Sequence, residues 1–265
     1  MPTTYAHDLF GQKVYRQLPE NMKKIIRENG ELYRIGLHGP DIFFYYFIFK
    51  KQVSGVGYRM HKEKAAAFFQ EGMAQVRERK DEALLAYLLG FGCHYLLDST
   101  CHPFVNEMHD KGKISHSLLE IEFDRFLMEE NGKNPYTYYP SDCIRASEKN
   151  AAVIHRAFPL VKKRNILLSL KLMKFMTNQL VCDDGGGRRS RLAKISSFGG
   201  RKAQSSLIDH FMMAQPAGGS REPVEKLDQL FEAAVAEAPK ELEELYRLSI
   251  EEGSLSPRWN RTYNG

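Results

Sequence analysis

Three residues in the run Gly92-Cys93-His94-Tyr95-Leu96-Leu97-Asp98-Ser99-Thr100-Cys101-His102-Pro103 could do chemistry together: His94, Asp98 and His102, at i, i+4 and i+8. On a helix that spacing drifts by about 40° per four residues, so two imidazoles and a carboxylate share one face and can converge on a common pocket. A second triplet with the same spacing, His116, Glu120 and Asp124, begins fourteen residues after His102. Either one alone could be a surface or core hydrogen bond. Two together offer the nitrogen and oxygen donors that zinc accepts, and metal binding is the stronger reading.

Upstream, Gly39-Pro40-Asp41 is a turn that presents a carboxylate, and Met60-His61 stands at the expected opening of the next helix. A turn-borne Asp and a helix-start His are also ordinary caps, so their role depends on what they meet. Tyr58, three residues before His61, could face the same place. His38, His109, His155 and His210 have no matching partner and are expected not to be ligands.

The elements that must position these groups read as helices. Met22 to Asn29, Lys62 to Arg79, Glu82 to Cys101, Ser115 to Glu130, Cys143 to Phe158, Asn165 to Val181 and Pro223 to Glu252 carry apolar residues at three- and four-residue spacing. Gly30 and Asn131-Gly132 read as stops, Ser141 and Pro223 as starts, and Pro103 as the end of the helix just after His102. The expected fold is all-α, one multi-helix domain over residues 1–265 with a metal site between helices. Val224 to Ile250 reads as an amphipathic helix packed on that domain.

With 265 residues, 43% of them hydrophobic and 27% charged, and mean hydropathy −0.45, the chain can bury a full core. The longest apolar stretch, Ile42 to Phe49, falls far short of the roughly 20 residues a membrane-spanning helix needs. Its aromatic run, Phe43 to Phe47, is expected in the core. The amino terminus lacks the basic start and apolar centre of a secretory signal, so a cytoplasmic location is expected. Cys93, Cys101, Cys143 and Cys182 form no CxxC pair and read as free and packed. The net charge of +5 is concentrated: residues 185–204 hold six cations and no acid, which leaves the remainder at −1. This stretch is expected to be a mobile surface loop, solvated or in peripheral contact with anionic membrane.

The ordered set Tyr5-Ala6-His7, Gly39-Pro40-Asp41, His61, His94-x3-Asp98, His102 and His116-x3-Glu120 resembles the zinc-dependent phospholipase C family, whose superfamily includes fungal single-strand nucleases. The likeness covers about the first 125 residues. It implies two to three zinc ions. Asp41, His61, His94 and Asp98 would hold the first, with Asp98 bridging to another. His102, His116 and Glu120 would hold the second, and His7, Asp98 and the amine and carbonyl of Pro2 the third. Asp124 would accept the Nδ1 proton of a ligand histidine. Where the secreted members begin with a Trp and carry a headgroup-binding acid near their start, this chain has Pro2 and no acid before His7.

The implied chemistry is phosphodiester hydrolysis through a metal-activated hydroxide, with Asp41 orienting or deprotonating the attacking water. The substrate would be a phospholipid or a small glycerophosphodiester. A single-strand nuclease or nucleotidase keeps the metals and changes the substrate, and a non-catalytic zinc- or lipid-binding module keeps them without turnover. The HD phosphohydrolase class, raised by His109-Asp110, fits less well because that pair adjoins Lys111-Gly112-Lys113 in a predicted loop.

Overall fold

The computed structural model describes residues 4–46, 51–181, 186–197, 210–212 and 215–265. Helices α1 (Thr4–Gln17), α2 (Glu20–Glu28) and α3 (Gly30–Gly36) lead into a 3₁₀ segment, Gly39–Tyr46, and α4 (Lys51–Met60). Next come α5 (Ala66–Arg79), α6 (Glu82–Asp110), α7 (His116–Glu130), α8 (Glu148–Ala157) and α9 (Lys163–Leu180). Two further helices, α10 (Gly187–Ser197) and α11 (Arg221–Leu248), precede a C-terminal segment with one 3₁₀ turn, Pro257–Asn260. No strand occurs among the described residues, and the all-α expectation holds.

Helix α6 is the axis. It starts where the Asp81 carboxylate accepts the Leu84 amide (3.1 Å), and Ser115 and Ser147 cap α7 and α8 in the same way. Every residue from Leu84 to Ser99 is buried, because α1, α2, α3, α5, α7, α8 and α11 all pack on it. A helix apolar on all sides must be enclosed on all sides. Its closest neighbour is α3, and glycines permit the approach. A Cβ on Gly36 would lie 2.2 Å from the Tyr87 carbonyl oxygen, and one on Gly90 would lie 2.2 Å from that of Tyr33.

The structure corrects several sequence expectations. Pro103 does not end α6, which runs on to Asp110. Proline costs about 3 kcal/mol in a helix interior, but here tertiary contacts hold the turn before it. The Arg258 guanidinium donates to Ser99 Oγ (2.9 Å), Thr100 Oγ1 (3.0 Å) and the Leu96 carbonyl (3.2 Å). His61 does not open a helix but follows the end of α4, and its amide still bonds the Gly57 carbonyl (3.2 Å). The helix expected from Cys143 starts only at Glu148, after a separate 3₁₀ turn at Pro140–Cys143. Gly30 opens α3 rather than closing a helix against a loop.

The basic stretch expected as a loop is helical over Gly187–Ser197, and Arg188 donates to the carbonyls of Asn178 (2.8 Å) and Val181 (2.9 Å). Residues 185 and 198–204 lie outside the described residues, as do Pro2, Phe47 and Cys182. Cys93, Cys101 and Cys143 are free and buried, and Phe43 to Tyr46 are core residues. No described helix is long and apolar enough to cross a membrane.

Gly90→Ala should force α3 away from α6 and destabilise the protein by about 1–3 kcal/mol, the usual cost of overpacking. Thermal unfolding should show a lowered midpoint against Gly55→Ala, where an added Cβ meets nothing within 4 Å.

Candidate metal centre

Five elements deliver ligand-type side chains to one point beside α6. Helix α1 supplies His7, the 3₁₀ segment Asp41, the end of α4 His61, α6 His94, Asp98 and His102, and α7 His116 and Glu120. These eight expected ligands all converge. Asp98 is the hub: the Nε2 atoms of His94, His7, His61 and His102 lie 3.1, 3.2, 3.5 and 3.6 Å from its carboxylate oxygens. Asp41 lies 3.2 Å from His61 Nε2, and Glu120 lies 3.0 Å from His116 Nε2 and 3.5 Å from His102 Nε2. Three groups offer donor atoms within 4.8 Å of one another: His7 with Asp41 and His94, His61 with His94 and Asp98, and His102 with His116 and Glu120.

The far ring nitrogens decide what the near ones can do. His61 Nδ1 lies 2.8 Å from the Gly57 carbonyl and His102 Nδ1 lies 3.0 Å from the Tyr263 carbonyl. A carbonyl only accepts, so Nδ1 carries the proton and a neutral ring turns the Nε2 lone pair toward carboxylate oxygens. Acceptors then face acceptors, and only a proton or a cation reconciles them. Metal-bound histidines show this arrangement, a second partner fixing tautomer and orientation. His116 Nδ1 has such a partner in Asn106 Oδ1 at 3.1 Å. Both nitrogens of His94, one oxygen of Asp41 and one of Asp98 are buried without a hydrogen bond. A buried polar atom left that way costs about 1–3 kcal/mol.

Charge leads to the same place. Burial works against ionising Asp98, but the surrounding imidazoles overcome it and hold the carboxyl well below its ordinary value. Burial opposes Asp41 as well, yet His61 and His94 bring it down to about 2, and Glu120 is lowered beside His102 and His116. Three buried carboxylates therefore stay ionised and need positive charge beside them. Burial disfavours the His61 imidazolium, but Asp41 and Asp98 prevail and hold its pKa up at about 10 in the metal-free protein. His94 has no comparable gain, and burial lowers it. The donor set, imidazole nitrogen and carboxylate oxygen, fits zinc.

A cavity of about 20 Å³ lies among His7, Asp98, Cys101, His102 and Glu120, room for one water or ion and nothing larger. A substrate must approach from outside, where the side chains of His116 and His61 are 27% and 13% exposed. Beside that edge the Phe44 ring lies 5.2 Å from His61 and 4.6 Å from Tyr58, which is exposed.

Asp124 does not receive an imidazole proton. Its two oxygens accept the amides of Ala6 (2.8 Å) and Tyr5 (3.1 Å), so it tethers the start of α1 to α7 and sets the position of His7. Burial pushes this carboxyl up to about 7, with the two amides working the other way. One turn on, Arg34 of α3 grips Asp8 with Nε and Nη2 at 2.8 and 2.6 Å. Gly39, at φ +47°, brings the 3₁₀ segment against His94; a Cβ there would lie 2.2 Å from the ring.

His38 is buried against Cys143, His155 bonds the Val161 carbonyl, and the exposed His109 and Asp110 at the end of α6 belong to none of the ligand groups. Sequence reading missed Tyr263, whose contribution is a main-chain carbonyl that any residue possesses. It also missed Asn106 on α6, although its place four residues after His102 continues the i, i+4, i+8 series and was a signal.

A family model described as zinc dependent phospholipase C matches residues 6–164. No curated protein and no solved structure matches the chain.

Zinc binding at His61 must expel the proton that Asp41 and Asp98 hold there. Apparent zinc affinity should therefore rise between pH 6 and 8, by about tenfold per unit for one proton released, as calorimetry in buffers of different ionisation enthalpy would register. In the metal-free protein the same group stabilises the fold fully below about 6.5, and that contribution is lost as pH rises through about 10. Denaturant titration in chelator across that range should show the decline. Gly39→Ala should lower zinc content by displacing His94.

Proposed function

The chain belongs to the zinc-dependent phospholipase C family, and from that premise we propose that it is a phosphodiester hydrolase cleaving the glycerol-side P–O bond of a phospholipid or a smaller glycerophosphodiester. The observation that carries the reading is the acceptor-lined centre around Asp98, buried on the α6 side and reaching solvent at His61 and His116. A structural zinc site is closed, whereas a catalytic one keeps a position open.

Asp41, His61, His94 and Asp98 would hold one zinc, and His102, His116 and Glu120 another. His7 and Asp98 with the amine of Pro2 would hold a third, for two to three in all. Bound zinc would supply the charge that brings the pKa of water toward ~7 and that binds the oxygens of a phosphodiester. The protein's own part is orientation and proton handling. Asp41 is kept ionised, so it can accept a proton from an attacking water or hold that water in line. Asp98 and Glu120 are likewise held ionised, and no carboxyl of the cluster is poised to protonate the departing alkoxide. The leaving oxygen must then be stabilised by charge.

The exposed Tyr58 and the Phe44 ring behind it give the non-reacting part of a substrate an apolar rest beside His61. A flat exposed ring at this place also favours a second reading, a nuclease or nucleotidase that stacks a base there. The cations of residues 185–204 would add contact with anionic lipid, each worth about 1 kcal/mol near such a surface.

Metal analysis of the purified protein should find two to three zinc per chain. Asp98→Asn, which cannot serve as the shared anion, should lose metal and abolish hydrolysis. A panel of phosphatidylcholine vesicles, a soluble glycerophosphodiester and single-stranded DNA assigns the substrate, and turnover of DNA alone would replace the lipase reading with the nuclease one. Tyr58→Ala should raise KM several-fold with a smaller change in kcat. A folded wild-type protein that takes up no zinc overturns the proposal.

A further inference from the structure

The C-terminal segment Leu255–Asn264 lies outside residues 6–164 and yet reaches the metal centre. It crosses α6 under fixed constraints. Trp259, fully buried, stacks on Tyr95 with centroids 5.2 Å apart, and the Arg258 side chain bonds the hydroxyls of Ser99 and Thr100, the two residues after Asp98. The Tyr95 hydroxyl donates to the Arg258 carbonyl (2.7 Å), and the Arg261 carbonyl accepts the Ala65 amide (3.2 Å).

These anchors deliver Tyr263 and Asn264 to two ligand histidines, one just past the end of α4 and one on α6. The Tyr263 carbonyl faces His102 Nδ1 at 3.0 Å, while the Asn264 side-chain amide donates to the His61 carbonyl at 3.1 Å. The Tyr263 ring is 1% exposed and packs against the imidazoles of His61 (5.1 Å) and His94 (5.9 Å). His61 and His102 belong to separate ligand groups, and their rings are 6.4 Å apart. The segment touches both.

We propose that Leu255–Asn264 is a positioning strap for the metal centre, in which the Tyr263 carbonyl holds the Nδ1 proton and so the orientation of His102 while the Tyr263 ring packs against His61 and His94 and holds them in place. The proposal rests on the reading of those histidines as zinc ligands. By linkage, whatever zinc affinity docking of the strap confers, bound zinc returns as tighter docking. Tyr263 acts through the histidines and touches no substrate.

The test uses the full chain with Tyr263→Ala, which removes the ring and frees the main chain, and Arg258→Gln, which unpins the strap without touching a ligand. Tyr263→Phe keeps the ring and the carbonyl. Zinc titration should give dissociation constants raised by about 10–100-fold, the usual cost of losing an outer partner of a ligand, in the first two variants and an unchanged value in the third. With or without zinc, NMR should show the His102 Nδ1 proton protected from solvent exchange in the wild type and Tyr263→Phe, and unprotected in the other two. Hydrogen exchange over 255–264 should slow when zinc is added to the wild type.

If Tyr263→Ala does not fold, Arg258→Gln decides. Zinc affinity within twofold of wild type together with an unaltered protection of the His102 Nδ1 proton would overturn the strap. A wild type that binds no zinc defeats the hydrolase reading instead, and the strap is then judged on the protection of the His102 Nδ1 proton alone.

Discussion

A single buried carboxylate, Asp98, meets the Nε2 atoms of four imidazoles, and most of the surrounding architecture serves to keep that encounter in place. Two of the rings are turned by carbonyls behind them so that their lone pairs point inward. Such a cluster is costly without a central cation, since it buries three carboxylates and leaves both nitrogens of His94 unbonded. Cores seldom retain that arrangement for stability alone. Its value lies in what it can hold.

The scaffold meets this demand with rigidity and close approach. Asp124 ties the first turn of α1 to α7, and Arg34 ties the next turn to α3, so His7 is located from two sides. Gly39 lets the chain pass against His94 where any side chain would collide with the ring. The polar groups sit on helices rather than on long loops, which favours a geometry precise enough for metal chemistry.

Much of this was legible in the sequence, for physical reasons that also mark where legibility ended. The i, i+4, i+8 spacing of His94, Asp98 and His102 survives any small error in helix boundaries, and the companion pair His116 and Glu120 lies on the next helix as expected. Helix α1 escaped the periodicity test because its inner face includes Thr4, His7 and Asp8, polar residues that are nonetheless buried. Helix α4 carries Gly55 and Gly57, which weaken the local signal, and α3 is only seven residues long. Pro103 misled because its local cost is offset by Arg258, 155 positions away, and no local rule can see that far. Asp124 was expected to accept an imidazole proton, but its partners are backbone amides, which have no sequence signature.

The distance along the chain between His102 and the carbonyl behind it, 161 residues, has a consequence for biosynthesis. As the nascent polypeptide leaves the ribosome, the histidines and acids of the first 120 residues emerge long before residue 263 is translated. During that interval His102 lacks its acceptor, and His61 and His94 lack the ring that packs against them. Capture of an ion in the final geometry therefore waits until residue 263 has been made and has folded back, and assembly of the centre is a late, long-range closure of the fold rather than a local event among the first 120 residues.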